Sequence, residues 1–186
     1  KYLKKSIWPL IHDMLPKAEM HIYGAYPTQE IRQLHDPRNN FLVKGRAESA
    51  VNVVEHARVM LAPLRFGAGL KGKLLEAMTC GTPSITTSIG CEGMQLGEKW
   101  NGFIADEPEE IADSAIKLYE NEHIWKEAVK NGNDIINKKF ADKNHSTDLI
   151  HKILKLQRDL KAHRRDNFTG SMLMHHTMAS SRYMSR

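Results

Sequence analysis

The sequence contains little cysteine and no long hydrophobic run, and each of these features excludes a class of protein. Its two cysteines, Cys80 and Cys91, form no paired framework, which favours a reducing compartment over secretion. No apolar segment approaches the ~18 residues that a membrane-spanning helix requires, and no signal peptide is visible. The sequence therefore does not indicate a disulfide-built secreted domain or an integral membrane protein.

Recognisable metal and triad motifs are also missing. Cys80 and Cys91 lack metal-ligand spacing, and we interpret them as small buried residues. The adjacent His175 and His176 would point in different directions on a helix or strand. No Ser/His/Asp arrangement stands out, so the sequence favours neither a metal centre nor a nucleophilic hydrolase.

The length and the charge distribution are informative. The chain has 186 residues, 41% of them hydrophobic, which suffices for one ordinary domain core without disulfides. Its net charge is +5, but residues 161–186 hold five Lys or Arg and one Asp, which leaves residues 1–160 near +1. A basic tail can attract nucleic acid or anionic lipid, although a solvated end or a segment that docks on another domain is favoured. No aromatic interleaving or recognition-helix pattern supports nucleic-acid binding.

Five short apolar segments alternate with helical patterns. They are "EMHIYG" (19–24), "NFLVKG" (40–45), "VMLAP" (59–63), "SITT" (84–87) and "GFIAD" (102–106). The third is a continuous apolar run, typical of a strand buried on both faces. This order predicts an α/β fold with a Rossmann-like, doubly wound, mainly parallel sheet, in which ligands bind beyond the carboxyl ends of the strands.

The sequence becomes helical after Asp106, with three apolar stripes at helical spacing before the tail. We expect residues 1–162 to form the sheet-containing domain and residues 163–186 to be a basic, Met-rich, helical C-terminal extension. The chain starts at Lys1 inside a helical pattern, so we expect it to be part of a longer protein.

A glycine-rich segment follows the third predicted strand. Residues 67–74, "GAGLKGKL", satisfy G-x-x-x-x-G-K, but the magnesium-binding Ser or Thr of a P-loop is replaced by Leu74. P-loops usually follow the first strand, and this loop follows the third visible one. These differences argue against an NTPase.

The same loop nevertheless has the chemistry of an anion site. Its glycines free the backbone for close approach to a ligand, and a helix is predicted over 72–79 with its positive end toward the loop. Formal positive charge comes from Arg65, Lys71 and Lys73. Glu76, near the start of this helix among apolar neighbours, needs hydrogen-bond partners, which the two hydroxyls of a ribose would supply. A nucleoside diphosphate fits these residues better than phosphate alone.

The run "PLRFGAGLKGKLLEAMTCGTPSITTSIGCEGM" (63–94) resembles the donor-binding, C-terminal half of GT-B glycosyltransferases, specifically the retaining family 4 of the group 1 enzymes. The resemblance implies that Glu76 binds the ribose and that four loop residues line the donor sugar and diphosphate: Gly69, Leu70, Lys71 and Gly72. It places the nucleobase at Gly45 and Arg46, with Arg65 also in the substrate site. Lys71 and Lys73 would stabilise the departing diphosphate.

Two departures from the family pattern matter. Members often carry two glutamates eight positions apart, and the first of these falls at Ala68, which affects sugar recognition. The family fold also has two Rossmann-like domains with the acceptor between them. The resemblance implies that this chain has only the second of these domains, without its first strand. We therefore expect the isolated chain to be inactive, and the tail to be an element that packs on the other domain.

The function predicted is that of a hexosyl-type glycosyltransferase in polysaccharide biosynthesis, retaining and metal-independent, without a cofactor. Its partners would be a nucleotide-diphosphate sugar and a glycan or lipid-linked acceptor, and no nucleic acid. A cytoplasmic location follows, with peripheral association at the inner face of the membrane as an alternative. The rival hypothesis is a non-catalytic nucleotide-sugar-binding or interaction module. The nucleotide, the sugar, the acceptor and the oligomeric state do not follow from the sequence.

Overall fold

The computed structural model describes residues 1–141 and 146–175. The chain divides into two compact units, Lys1–Phe140 and Ala141–Arg186. The sequence analysis placed its boundary later, after residue 162, and its assignment of roles to the two parts stays a prediction. All five strands belong to the first unit.

Each predicted strand is present, with slightly tighter bounds. The strands are β1 (Met20–Tyr23), β2 (Phe41–Gly45), β3 (Met60–Ala62), β4 (Ser84–Thr86) and β5 (Gly102–Ile104). The helices of the first unit are α1 (Trp8–Met14), α2 (Gln29–Arg32), α3 (Ala50–Glu55), α4 (Gly72–Thr79), α5 (Ser88–Cys91), α6 (Pro108–Glu120) and α7 (Glu122–Ile135). A π-helical turn, Leu3–Ile7, leads into α1, another, Ile136–Phe140, extends α7, and Pro37–Asn39 forms a 3-10 turn before β2.

Every pairing between these strands is parallel, which confirms the predicted α/β fold with parallel strands. The strands form two sheets in the described residues: β1 pairs with β2, and β3, β4 and β5 pair in that order. The sequence analysis expected one sheet. The physical reason for the difference is that β1 and β3, which face each other across a cavity, do not reach each other to pair.

Helices cover both faces of the three-stranded sheet. On one face Ile85 of β4 joins an apolar cluster with residues of α1 and α6, including Trp8, Ile111 and Leu118. On the other, α4 and α7 pack together around Leu74, Met78 and Ile135. Because side chains alternate along a strand, Ser84 and Thr86 lie on the face opposite Ile85. This layering holds the β3–α4 and β4–α5 connections at one end of the sheet.

The burial of β3 differs from the prediction. Its three residues are only partly buried, although its apolar run indicated a strand covered on both faces. The residues of β4 are fully buried, although two of the three are polar. The reason is that, among the described strands, β4 has a hydrogen-bonded neighbour on each side, whereas β3 has one neighbour and a cavity.

The described part of the second unit is helical, with α8 (Ser146–Arg158) and α9 (Leu160–Asp166) followed by helical residues 168–175. The apolar stripe predicted on α8 is present but exposed: Leu149, Ile150, Ile153, Leu154 and Leu156 are all at least 42% accessible. The tail residues His176, Met178 and Tyr183 lie outside the described residues. Among the helices described, none combines the length and apolarity needed to cross a bilayer.

Candidate functional site

The glycine-rich segment connects the carboxyl end of β3 to the start of α4, as predicted. Gly67 and Gly69 have φ values of +152° and +69°, a region that residues with a side chain rarely adopt. The start of the loop is tied to the next strand, because the hydroxyl of Thr87 donates a hydrogen bond to the carbonyl of Leu64. Thr87 also caps α5, accepting from the Gly90 N–H at 3.2 Å. The loop is therefore fixed at its base and open at its tip.

Helix α4 begins at Gly72 and presents its positive end to this loop. Its N-cap position is Lys71, and no side chain within the described residues caps it. The first backbone N–H groups of a helix have no partner inside the helix, so those of Gly72 and Lys73 remain available for a ligand. Leu74, Ala77 and Met78 are buried and hold the helix against the core.

Lys71 provides a buried positive charge beside this helix end. Its Nζ atom is inaccessible to solvent and has no hydrogen-bond partner within residues 1–141 and 146–175. The Lys71 side chain packs against the loop, since a Cβ placed on Gly67 would lie 3.8 Å from Lys71 Cε. A buried ammonium group without an acceptor is costly, so this position calls for an anion.

Lys73 and Glu76, about one helical turn apart on α4, form an ion pair. Lys73 Nζ lies 2.7 Å from Glu76 Oε2, and the carboxylate side chain is 21% exposed whereas that of the lysine is 67% exposed. The sequence analysis assigned Lys73 to the diphosphate and Glu76 to a ribose without foreseeing this contact. The contact directs the Glu76 carboxylate toward the first turn of α4.

The other predicted site residues do not all lie in one pocket. Arg46 and Lys73 line a cavity of about 1150 Å³ that extends between β1 and β3. Gly45 ends β2 with φ +77°, and its carbonyl accepts from the Gly24 N–H at 2.8 Å, which turns the chain toward this cavity. Arg65 is exposed, and its guanidinium stacks 5.4 Å from the centre of the Tyr2 ring.

A smaller pocket of about 370 Å³ lies between the glycine-rich loop and the α5 connection. It is lined by Gly67, Ala68, Gly69, Leu70, Glu92 and Gly93. The structure thus brings Glu92 to the same pocket as Ala68, where the family pattern has a glutamate. From the sequence alone, Glu92 in "GCEGM" is equally consistent with a turn residue and with a ligand contact. The signal that could have found it is the position of "GCEGM" after the fourth strand, at the carboxyl edge of the sheet.

The close approach of α5 to β4 explains how this pocket forms. A Cβ on Gly90 would lie 1.8 Å from the Thr86 hydroxyl oxygen, so only glycine allows the observed contact. The Ser88 N–H and hydroxyl group both donate to Asp106 Oδ1, at 2.9 and 3.0 Å, which holds the helix at the end of β5. These contacts position Glu92 and Gly93 opposite the loop.

The two cysteines add no reactive group to the site. Burial raises the pKa of Cys80, and the charges of Glu76 and Glu55 act in the same direction. Burial also raises the pKa of Cys91, while the positive charge of Lys71 acts against it. Both thiols are therefore protonated at neutral pH. No cluster of three or more His, Cys, Asp or Glu that could hold a metal ion occurs in the part of the chain that the structure describes.

Comparison with protein families identifies the chain. The family model of the glycosyl transferases group 1 matches residues 1–121. The chain belongs to this family. No curated sequence is a significant relative of this glycosyltransferase-family chain.

Solved structures show the same fold at low sequence identity. A point mutant of S. aureus TarM, in complex with fondaparinux, alpha-GlcNAc-glycerol and UDP, superposes with a TM-score of 0.68 at 19% identity, over 83% of this chain and 31% of TarM. The pneumococcal O-GlcNAc transferase GtfA, in complex with UDP and GlcNAc, gives 0.60 at 21% identity, over 82% and 33%. Anabaena HepE, in complex with UDP, gives 0.61 at 17% identity, over 80% and 45%.

These comparisons confirm the predicted glycosyltransferase family and the Rossmann-like α/β fold. The chain spans less than half the length of the three structures. The comparisons therefore show the family and the fold of these residues, and not the activity of the whole protein.

Proposed function

We propose that the chain is the donor-binding, C-terminal domain of a retaining family 4 glycosyltransferase and holds a nucleotide-diphosphate sugar at the glycine-rich loop. The observation that carries this proposal is the buried Nζ of Lys71 beside the start of α4, neither of which has a side-chain partner or cap among the residues that the structure describes. A diphosphate would accept hydrogen bonds from the ammonium group and from the first N–H groups of the helix. It would thereby satisfy the polar groups that the described residues leave open.

The diphosphate is also where the chain would contribute to catalysis. Negative charge grows on the diphosphate as the sugar leaves, and fixed donors aimed at that charge lower the barrier. Lys71, Lys73 and the N–H of Gly72 supply such donors. Lys73 is held by Glu76 at 2.7 Å, so it approaches the diphosphate while the carboxylate stays oriented toward the ribose hydroxyls. Arg65, just before the glycines of the same loop, would add a further positive charge.

The remaining proposed contacts, to the sugar and to the nucleobase, lie at the smaller pocket and at the end of β2. The smaller pocket, between Gly69, Leu70 and Glu92, would hold the hexosyl group, whose hydroxyls would bind the Glu92 carboxylate. Gly45 and Arg46, at the end of β2, would contact the nucleobase. UDP is present in three of the similar structures, which supports a uridine nucleotide as the first donor to test.

The proposed reaction is transfer with retention to a glycan or lipid-linked acceptor, in polysaccharide biosynthesis on the cytoplasmic side of the membrane. It would need no metal and no cofactor, since the charge of the diphosphate is met by side chains and backbone. The acceptor would bind to polypeptide outside residues 1–186, so this chain alone should bind donor without turning it over. The alternative of a non-catalytic module, favoured by Ala68 where a glutamate is usual, predicts donor binding but no transfer by the longer protein.

Calorimetric titration with UDP, GDP, ADP and ATP, with and without magnesium, tests the proposal. We expect one nucleoside diphosphate to bind preferentially and the metal to make no difference. Lys71→Gln should weaken that binding about 10- to 150-fold, because it removes a charge-assisted hydrogen bond worth ~1.5–3 kcal/mol. Lys99→Gln is the matched control, since Lys99 is 79% exposed and pairs with Glu127 away from the loop. Magnesium-dependent binding of ATP, or unchanged affinity in Lys71→Gln, would contradict the assignment.

Glu76→Ala separates the ribose contact from the diphosphate contact. We expect a loss of ~1–3 kcal/mol in binding of the nucleoside diphosphate. Binding of inorganic pyrophosphate should change little, since that probe has no ribose. Equal losses for both probes would show that Glu76 acts only by holding Lys73.

A further inference from the structure

Helix α8 carries a continuous apolar face that is open to solvent. Five aliphatic side chains, each 42–57% exposed, form this face: Leu149, Ile150, Ile153, Leu154 and Leu156. At 3.6 residues per turn they occupy an arc of about 160° on one side of the helix. No residue of α8 is buried, whereas α7, of similar length, buries part of its own stripe. A contiguous apolar face of this width marks an interaction surface.

The opposite face of α8 is basic. It carries Asp148, His151, Lys152, Lys155 and Arg158. The single acid is already paired, because Lys152 Nζ lies 2.6 Å from Asp148 Oδ2. Lys155 and Arg158 have no acidic partner within the residues that the structure describes. The polar side of the helix therefore presents charge of one sign.

Positive charge also borders the apolar face on both of its sides. Helical spacing places Lys152 about 40° beyond Leu156 on one side and Arg158 about 40° beyond Leu154 on the other. Long basic side chains can lay their aliphatic stems along an apolar surface while the charged ends reach outward. An apolar face with basic borders and a basic back is the arrangement of helices that lie in the plane of a membrane surface.

The basic character continues past the end of α8. The Asp159 N–H donates to the Lys155 carbonyl at 3.0 Å, and the His163 N–H donates to the Asp159 carbonyl at 2.9 Å. Helical hydrogen bonding thus crosses from α8 into α9. Residues 146–166 together hold six Lys or Arg and three Asp. This surplus complements the negative surface of a bilayer that contains anionic lipids.

We propose that α8 docks on an anionic lipid bilayer, with its apolar face among the outer acyl chains and its basic residues at the headgroups. A second copy of the chain fits this face less well. The 4-3-4 spacing of Leu149, Ile153, Leu156 and Leu160 would suffice for a coiled-coil seam, but Ile150 and Leu154 lie outside that narrow stripe. A protein surface is also disfavoured, because lysine is depleted at protein interfaces. A bilayer covers the whole width and attracts the bordering charges.

Cosedimentation of the chain with lipid vesicles tests the proposal. The two probes are vesicles of phosphatidylcholine alone and vesicles of phosphatidylcholine and phosphatidylglycerol in equal parts. We expect binding to the mixed vesicles that is much stronger than binding to phosphatidylcholine alone. Raising the salt from about 0.1 M to about 1 M should weaken it, since the Debye length falls from ~10 Å to ~3 Å.

One variant addresses the apolar face. Ile153→Gln should lower the partition coefficient for mixed vesicles about 10-fold, because it removes an aliphatic side chain from the acyl region. Leu96→Gln is the matched control, since Leu96 is 52% exposed, Ile153 is 54% exposed, and Leu96 lies in the first unit. Both replaced side chains are exposed, so both variants should fold, as far-UV circular dichroism checks.

A second variant addresses the charge. Lys155→Gln combined with Arg158→Gln should weaken binding to mixed vesicles about 10- to 30-fold and leave binding to phosphatidylcholine nearly unchanged. Lys126→Gln combined with Lys130→Gln, on α7, removes the same net charge from an exposed position outside α8 and should have little effect.

The alternatives give different results. Absence of binding to the mixed vesicles would overturn the proposal, as would equal losses in a variant and its matched control. Absence of vesicle binding together with a dimer that Ile153→Gln converts to a monomer, measured by analytical ultracentrifugation, would assign the face to a second copy. None of these probes contains a nucleotide or a sugar, so the outcome is independent of the proposed function.

Discussion

The two sheets of the first unit differ in how completely their strands are covered. All three residues of β4 are buried, and the polar ones are satisfied: Ser84 Oγ donates to Asn101 Oδ1 at 2.7 Å and Thr86 Oγ1 to the Ala62 carbonyl at 2.9 Å. In β1 partly buried residues alternate with exposed ones. The difference shows that neighbours on both sides, more than the apolarity of a strand, decide its burial.

The two sheets also carry different parts of the candidate site. The three-stranded half carries the glycine-rich loop, the buried Lys71 and the pocket shared with Glu92. The two-stranded half contributes Arg46 to the wall of the cavity between β1 and β3, which Lys73 also lines.

The largest expected effect comes from truncating matched isoleucines. Ile85 in β4 is 1% exposed and Ile22 in β1 is partly buried. Ile85→Ala should lower the free energy of unfolding by ~2–5 kcal/mol through lost burial and a cavity. Ile22→Ala should cost about 1 kcal/mol, because its surroundings are already open. Urea unfolding followed by circular dichroism measures both, and equal losses would contradict the proposed difference in packing.

A smaller effect is expected from adding one methyl group to matched glycines. Gly90→Ala places a Cβ against the Thr86 hydroxyl and should destabilise by ~1–3 kcal/mol. Gly24→Ala, at the end of β1, meets nothing within 4 Å and should stay within ~0.5 kcal/mol of the wild type. Thermal unfolding of the two variants gives the comparison. A tolerated Gly90→Ala would mean that α5 can move away from β4, and with it Glu92.

The smallest effect concerns a carboxylate before β2. The hydrogen bond from Asn39 holds the pKa of Asp36 below its usual value, and Lys4, 3.4 Å away, acts in the same direction. Since the pKa is lowered on folding, the stabilisation is present above the unfolded value of about 3.9 and is lost as pH falls through the folded value. Asn39→Ala should move the pKa of Asp36 upward, as followed by NMR titration. An unchanged pKa would assign the shift to Lys4.

Local patterns in the sequence were sufficient to predict the strands and the helix that follows the glycine-rich loop. The apolar runs located all five strands, and the glycines and Pro83 around "KLLEAMTCG" predicted a helix over 72–79, the bounds that α4 has. These features depend on backbone conformation and on the spacing of apolar residues, which neighbouring residues largely determine. The order of strands and helices likewise indicated a parallel α/β fold with the loop at its carboxyl edge.

Contacts between distant residues required the tertiary structure. The placement of Glu92 and Ala68 at one pocket depends on how closely α5 approaches β4. The division of the described strands into two sheets depends on which strands pair. The pairing of Lys73 with Glu76, although local in sequence, depends on which rotamers the buried face of α4 leaves free. The sequence by itself determined where the strands, the helices and the glycine-rich loop lie. Only the packing of the layers decided that the Lys71 ammonium group is buried without an acceptor, and that the strands form two sheets, in the part of the chain that the structure describes. The reason is that burial and pairing are properties of neighbours distant in the chain.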